Sequence, residues 1–179
     1  MATRRSEFLH GIKDELPILI GVLPFGMIYG VTALSAGIPA PLAQAMSGIV
    51  FAGSAQFVIA QLIAAGTPSL VVILTACIVN IRHLLYSASV GSYTRKLHPL
   101  WRWVLAYLLT DEAYAVTIAH YQQPGDDGQK QWYFFGAGLA LWTTWQLSTA
   151  AGIFLGGQIP ASWSLDFAST LTFIALVVP

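Results

Sequence analysis

Apolar residues run through this chain in long blocks. No Asp, Glu, Lys or Arg occurs in the 66 residues between Glu15 and Arg82, or in the 35 between Lys130 and Asp166. A helix needs about 20 apolar residues to cross a hydrocarbon core of about 30 Å, so these gaps are long enough for several crossings. Six hydrophobic segments are predicted, at Leu16–Ala36, Pro41–Ala65, Pro68–Gly91, Trp101–His120, Trp132–Gly156 and Ser164–Pro179. The runs are continuous rather than alternating, which excludes a barrel and predicts an all-α, polytopic transmembrane helical bundle. Residues 1–15 place Phe8, Leu9 and Ile12 between charges at helical spacing, the pattern of an amphipathic segment lying at the membrane interface. No long polar linker interrupts residues 16–179, which read as a single transmembrane domain.

The segment Pro41–Ala65 differs from the others. Its centre reads Phe-Ala-Gly-Ser-Ala-Gln-Phe (Phe51 to Phe57), where Gly53 and Ser54 weaken the helix and Gln56 needs a partner. A broken or re-entrant second segment is therefore expected. Topology agrees: Arg95, Lys96 and Arg102 mark a cytoplasmic loop. With Arg4, Arg5 and Lys13 also inside, an even number of full crossings must separate them. Three plain crossings with the amino terminus outside are the alternative, and Asp126 and Asp127 suit an outer loop. Phe51, Ala52 and Phe57 recur at the same spacing as Phe167, Ala168 and Phe173, an echo that suggests an internal repeat of the kind found in transporters.

Composition sharpens the class. Residues are 56% hydrophobic and only 9% charged, and eight basic residues balance eight acidic ones, which leaves no field to attract nucleic acid. The lone Cys77 cannot build a disulfide framework. Glu7, Asp14 and Glu15 precede a Pro-containing apolar stretch, which reads as an uncleaved first span rather than a signal peptide. Pro17 and Pro24 are expected to kink or break that span. Trp101, Trp103, Tyr121, Trp132, Tyr133 and Trp163 cluster near segment ends, at headgroup level.

Chemistry concentrates in the third and fourth segments. Asn80, Arg82 and His83 in one, and Thr110, Asp111 and Glu112 in the other, lie far from the segment ends. A charge at the bilayer centre costs at least about 2.5 kcal/mol, so such residues are paired or functional. Arg82 and Asp111 are equidistant from a turn centred between Lys96 and Leu97, so an antiparallel hairpin brings them to one level and predicts their ion pair. Asn80, His83 and Ser87 share one face, and Arg82, Tyr86 and Ser89 the adjoining one. Tyr107, Asp111 and Tyr114 align on the fourth segment, with Glu112 on a different face and a different partner. His83 is either a proton relay or a neutral hydrogen bonder, and the acids are either proton carriers or a structural network. Gly26–Gly30 and Gly152–Gly156 are G-x-x-x-G spacings that let helices approach closely. Gln44, Gln61 and Gln146 are weaker polar candidates. The sequence carries no phosphate loop, zinc-protease motif, complete dinucleotide fingerprint or G-x-S-x-G elbow, and so no nucleotide, metal or organic cofactor signature.

Taken together, Phe51 to Phe57, Asn-Ile-Arg-His-Leu-Leu-Tyr (Asn80 to Tyr86) and Leu-Thr-Asp-Glu (Leu109 to Glu112) resemble the AzlC family of branched-chain amino-acid permeases. Leu-Pro-Phe-Gly (Leu23 to Gly26) and Leu-Asp-Phe-Ala (Leu165 to Ala168) are similar too. The resemblance implies a multi-pass permease of the bacterial cytoplasmic (inner) membrane that exports hydrophobic amino acids beside a small AzlD-type membrane subunit. It also implies that a chain ending at Pro179 is truncated, since relatives continue into further hydrophobic segments. On this reading the protein is a secondary transporter, not an enzyme, and a homo-oligomer stays open. Gly53, Ser54, Gln56, Asn80 and Arg82 are expected to bind substrate, with His83, Asp111 and Glu112 coupling it to protons. The alternatives are a passive channel or non-catalytic scaffold subunit in which the buried charges are structural, and a membrane-embedded enzyme using His83 with a carboxylate.

Overall fold

The computed structural model describes residues 3–123 and 129–157. The sixth segment, Trp163, the Asp126–Asp127 loop and the second half of the Phe51–Phe57 echo lie outside them. Among the described residues there are eight helices and no strand: α1 (Arg4–Ser35), α2 (Ala40–Val50), α3 (Gly53–Ala64), α4 (Ser69–Val79), α5 (Arg82–Thr94), α6 (Pro99–Tyr107), α7 (Asp111–Tyr121) and α8 (Lys130–Gly156). The helical bundle read from hydropathy is therefore present. Two stretches, Arg4–Ser35 and Ser69–Thr94, are long and apolar enough to cross a membrane, and α2 and α3 are shorter apolar helices.

Local sequence accounts for several boundaries. Gly37 and Gly66 take positive φ of 78° and 67° just beyond α1 and α3, where the amides of Ile38 and Thr67 return to the carbonyls of Ala33 and Leu62. These are glycine C-caps of the Schellman type, and Pro39 and Pro68 then open α2 and α4. The expected break in the second segment falls at Phe51–Ala52. Phe51 closes α2 with φ 40°, a left-handed conformation that costs a non-glycine residue roughly 1–2 kcal/mol.

One expectation is narrowed and another needs correction. Of the kink or break expected at Pro17 and Pro24, the break is excluded, since α1 is continuous through both. The fourth segment is not one helix: α6 ends at Tyr107 and α7 begins at Asp111. Thr110 caps α7, its hydroxyl accepting from the Ala113 amide at 3.3 Å, while Asp111 and Glu112 occupy the positive first turn. That break overturns the alignment of Tyr107 with Asp111. The Tyr107 hydroxyl instead accepts from Trp142 Nε1 at 2.7 Å.

The chain divides into two compact units: the described residues of Met1–Ile20 with Ile81–Thr143, and those of Gly21–Asn80 with Thr144–Pro179. In the first, α5 packs on α7, and the start of α1 lies against α8, with Gly11 on the Tyr133 backbone and Gly136 on the Phe8 backbone. In the second, α3 packs on α4 and on α2. There the two G-x-x-x-G motifs interlock: Gly30 meets Thr149 and Ile153, Gly152 meets Met27, and Gly156 meets Val31. This is the close helix approach expected of them.

Candidate functional site

In the second unit the α2–α3 break carries three of the expected residues. Gly53 and Ser54 open α3 behind Ala52, whose side chain offers no cap to the helix start. A Cβ at Gly53 would come within 3.1 Å of the Trp145 ring, so the glycine lets α3 start hard against it. Gln56 is fully buried, and its amide adjoins the Tyr29 hydroxyl, which itself donates to the Ala43 carbonyl at 3.0 Å. Tyr29 stacks on Trp145 at 6.0 Å and meets Phe57 edge-on at 5.9 Å, while Phe25 meets the other side of Phe57 at 5.5 Å. The break is thus walled by aromatic rings, with one buried amide among them. Gln44 and Gln146 prove to be helix cement: Gln44 Nε2 donates to Gln146 Oε1 at 2.8 Å, and Gln146 Nε2 donates to the Ser47 carbonyl at 3.1 Å. Asn80 ends α4 in the same unit.

In the first unit, Arg82 is the first residue of α5 and Asp111 the first of α7. Arg82 Nη1 lies 2.9 Å from Asp111 Oδ2, the pair that the hairpin arithmetic predicts. The rest of that face follows. The Tyr86 hydroxyl bonds Asp111, the Tyr86 and Tyr114 rings stack at 4.5 Å, and the Tyr114 hydroxyl bonds Ser89 Oγ at 3.1 Å. His83 meets the Tyr86 ring edge at 5.9 Å. Glu112 faces elsewhere, its charge bearing on Glu15 of α1.

Sequence reasoning missed the residues near the start of α1. Glu7 and Glu15 are 4% and 0% exposed. Neither oxygen of Glu15 is hydrogen-bonded. Glu7 Oε2 lies 3.3 Å from His120 Nε2, near the end of α7, and His10 Nε2 lies 3.3 Å from Asp14 Oδ2. Tyr133 and Tyr121 are buried in this unit, and Tyr133 stacks on His120 at 3.7 Å. The Glu7, His10 and Asp14 spacing of i, i+3 and i+7 was the available signal, since it puts all three on one helical face. A separate cleft of about 500 Å³ between α5, α6 and α8 has Arg95 and Arg102 in its wall and contains none of the expected site residues.

A common feature links these places. Gly53, Ser54 and Gln56 fall in the first turn of α3, Asn80, Arg82 and His83 at the α4–α5 junction, where Asn80 and Ile81 keep right-handed helical dihedrals, and Asp111 and Glu112 at the start of α7. All eight expected site residues sit at helix starts or junctions. Interrupted apolar helices carrying ionisable and amide side chains at their breaks define a polytopic membrane protein. Residues 17–159 match the AzlC protein family, and the chain belongs to that family.

Relatives agree. The chain is 31% identical over 155 residues to inner membrane protein YgaZ of Escherichia coli (strain K12), covering 86% of this chain and 63% of that protein. It is 31% identical over 180 residues to the branched-chain amino acid transport protein AzlC of Bacillus subtilis (strain 168), covering 97% of this chain and 67% of that one. An uncharacterized membrane protein of Archaeoglobus fulgidus is 25% identical over 181 residues, 99% of this chain and 77% of the relative. The chain therefore spans less than two thirds of the length of YgaZ. No solved structure matches it significantly.

Proposed function

We propose that this chain is the transport subunit of an exporter for branched-chain amino acids in the bacterial cytoplasmic membrane, driven by the proton gradient and working with a small AzlD-type membrane partner. The observation that carries the reading is the placement of the eight residues at three helix starts or junctions, within a family whose Bacillus subtilis member is named for branched-chain amino acid transport. Broken helices expose backbone groups that bind the ends of an amino acid, and the half-buried charges at the breaks can change protonation during a cycle.

In this scheme the start of α3, at Gly53 and Ser54, takes the substrate carboxylate, because helix N-terminal amides point at an anion with the dipole behind them. Gln56 and the Tyr29, Phe57 and Trp145 rings offer one polar contact beside an apolar wall for a branched aliphatic group. Asn80 serves as a further polar contact. Asp111 is the gating acid: protonation removes its negative charge and loosens its bond to Arg82. His83 and Glu112 are the remaining proton-coupling groups.

The Arg82–Asp111 bond also favours a second reading, in which the charges only hold α5 to α7 in a channel or scaffold subunit. The test is uptake of labelled leucine, isoleucine and valine into everted vesicles, with and without an AzlD-type partner, under an imposed pH gradient. Gradient-driven uptake that needs the partner, and that is lost in Asp111→Asn and Glu112→Gln while both variants stay folded, is expected. Absence of uptake from well-folded chain with its partner would overturn the proposal, and loss of folding in the variants would favour the structural reading.

A further inference from the structure

Three potential ligands that are far apart in sequence meet at the start of α1. Glu7, His10 and His120 each bring one ligand atom into a group in which all lie within 4.8 Å of one another. Glu7 and His120 are buried and His10 is about half exposed, so the group has two fixed ligands and one on the accessible side. Glu7 Oε2 is sealed from solvent and makes no hydrogen bond, although His120 Nε2 is 3.3 Å away. That separation has a specific meaning. With bonds of about 2.0–2.2 Å, two ligands on a tetrahedral zinc ion stand about 3.3–3.5 Å apart. Glu7 and His120 already stand at that spacing.

The surroundings have the character of an orienting shell. The His120 ring is clamped flat on Tyr133, at 3.7 Å and 5° between planes. The Tyr133 hydroxyl donates to Asp14 Oδ2 at 2.7 Å, and the same oxygen lies 3.3 Å from His10 Nε2. A carboxylate fixed by a tyrosine and set against an imidazole is the arrangement that selects the tautomer of a ligating histidine. The His10 ring meets His120 edge-on at 5.2 Å, so both imidazoles are held by neighbours. Two imidazoles and a carboxylate form a borderline donor set that suits zinc and its first-row neighbours, and three protein ligands leave a fourth position open.

We infer that Glu7, His10 and His120 form a binding site for a first-row divalent cation, zinc by its donor set, with Asp14 orienting His10. The ion would tie the first turns of α1 to the end of α7 within the first unit, independently of the transport reading above.

The test uses untagged full chain in detergent, stripped with chelator and titrated with zinc alone. One equivalent per chain is expected, with a rise in melting temperature, and cobalt in its place gives the strong visible bands of a four-coordinate ion. His10→Ala, at a half-exposed position that folding tolerates, abolishes stoichiometric binding, as does Glu7→Gln. Asp14→Asn weakens it roughly 10–100-fold. No stoichiometric zinc, or zinc binding that His10→Ala leaves unchanged, would overturn the site and leave an ordinary histidine–carboxylate cluster. The His10→Ala result decides the matter even if Glu7→Gln fails to fold.

Discussion

Replacing Gly30 by alanine should separate two helices that the structure holds backbone to backbone. A Cβ built at Gly30 would lie 2.6 Å from Ile153 N, 2.6 Å from Thr149 O and 2.8 Å from Gly152 C, all backbone atoms of α8. No change of rotamer relieves such contacts. Reaching ordinary contact requires α1 and α8 to part locally by about 0.8 Å, and a gap of that order forfeits a quarter to a half of each dispersion contact alongside. The contacts at Gly26, Gly152 and Gly156 lengthen together, because all four glycines lie in one seam. Overpacking costs about 1–3 kcal/mol, and the alanine returns about 0.5–1 kcal/mol of helix preference, for a net loss of up to about 2.5 kcal/mol.

Gly21, in the same helix, is the control. Nothing lies within 4 Å of a Cβ there, so Gly21→Ala should stabilise by the helix preference alone. The assay is unfolding of purified chain in mixed micelles of increasing denaturing-detergent fraction, read by the fluorescence of its six tryptophans. The midpoint should fall for Gly30→Ala and rise for Gly21→Ala. Equal midpoints for the two variants would refute the close-approach argument.

Two further outcomes follow from the buried polar groups. Glu15→Gln should retain the fold and raise stability by up to roughly 1 kcal/mol, since a neutral amide of the same shape replaces a carboxyl whose oxygens have no hydrogen bond, in a site where charge is costly. A clear loss of stability in the same unfolding assay would mean that the carboxylate is held by a partner. Gln56→Leu should leave the fold intact and raise the KM for leucine in the vesicle assay roughly 2–10-fold, the worth of one hydrogen bond. An unchanged KM would remove Gln56 from the substrate contacts.

Hydropathy by itself determined that the chain is a helical membrane protein, because backbone groups in lipid leave only helices for continuous apolar runs. Other features were equally local: the Gly37 and Gly66 turns with their following prolines, and the weak centre at Gly53 and Ser54 where the second segment breaks. The Arg82–Asp111 pair was legible because a short turn fixes the register of a hairpin, and register is simple arithmetic. The α6–α7 break was signalled less strongly, by a Thr-Asp-Glu helix start within an otherwise apolar run. Only the tertiary structure decided that Glu7 and Glu15 are buried within the protein, since periodicity tells which residues share a face but not what that face meets. Likewise, the meeting of His10 and His120 depends on how α1, α7 and α8 pack within the first unit. Packing between segments more than a hundred residues apart leaves no trace in local pattern, and the polar groups it brings together become visible only once the helices are assembled.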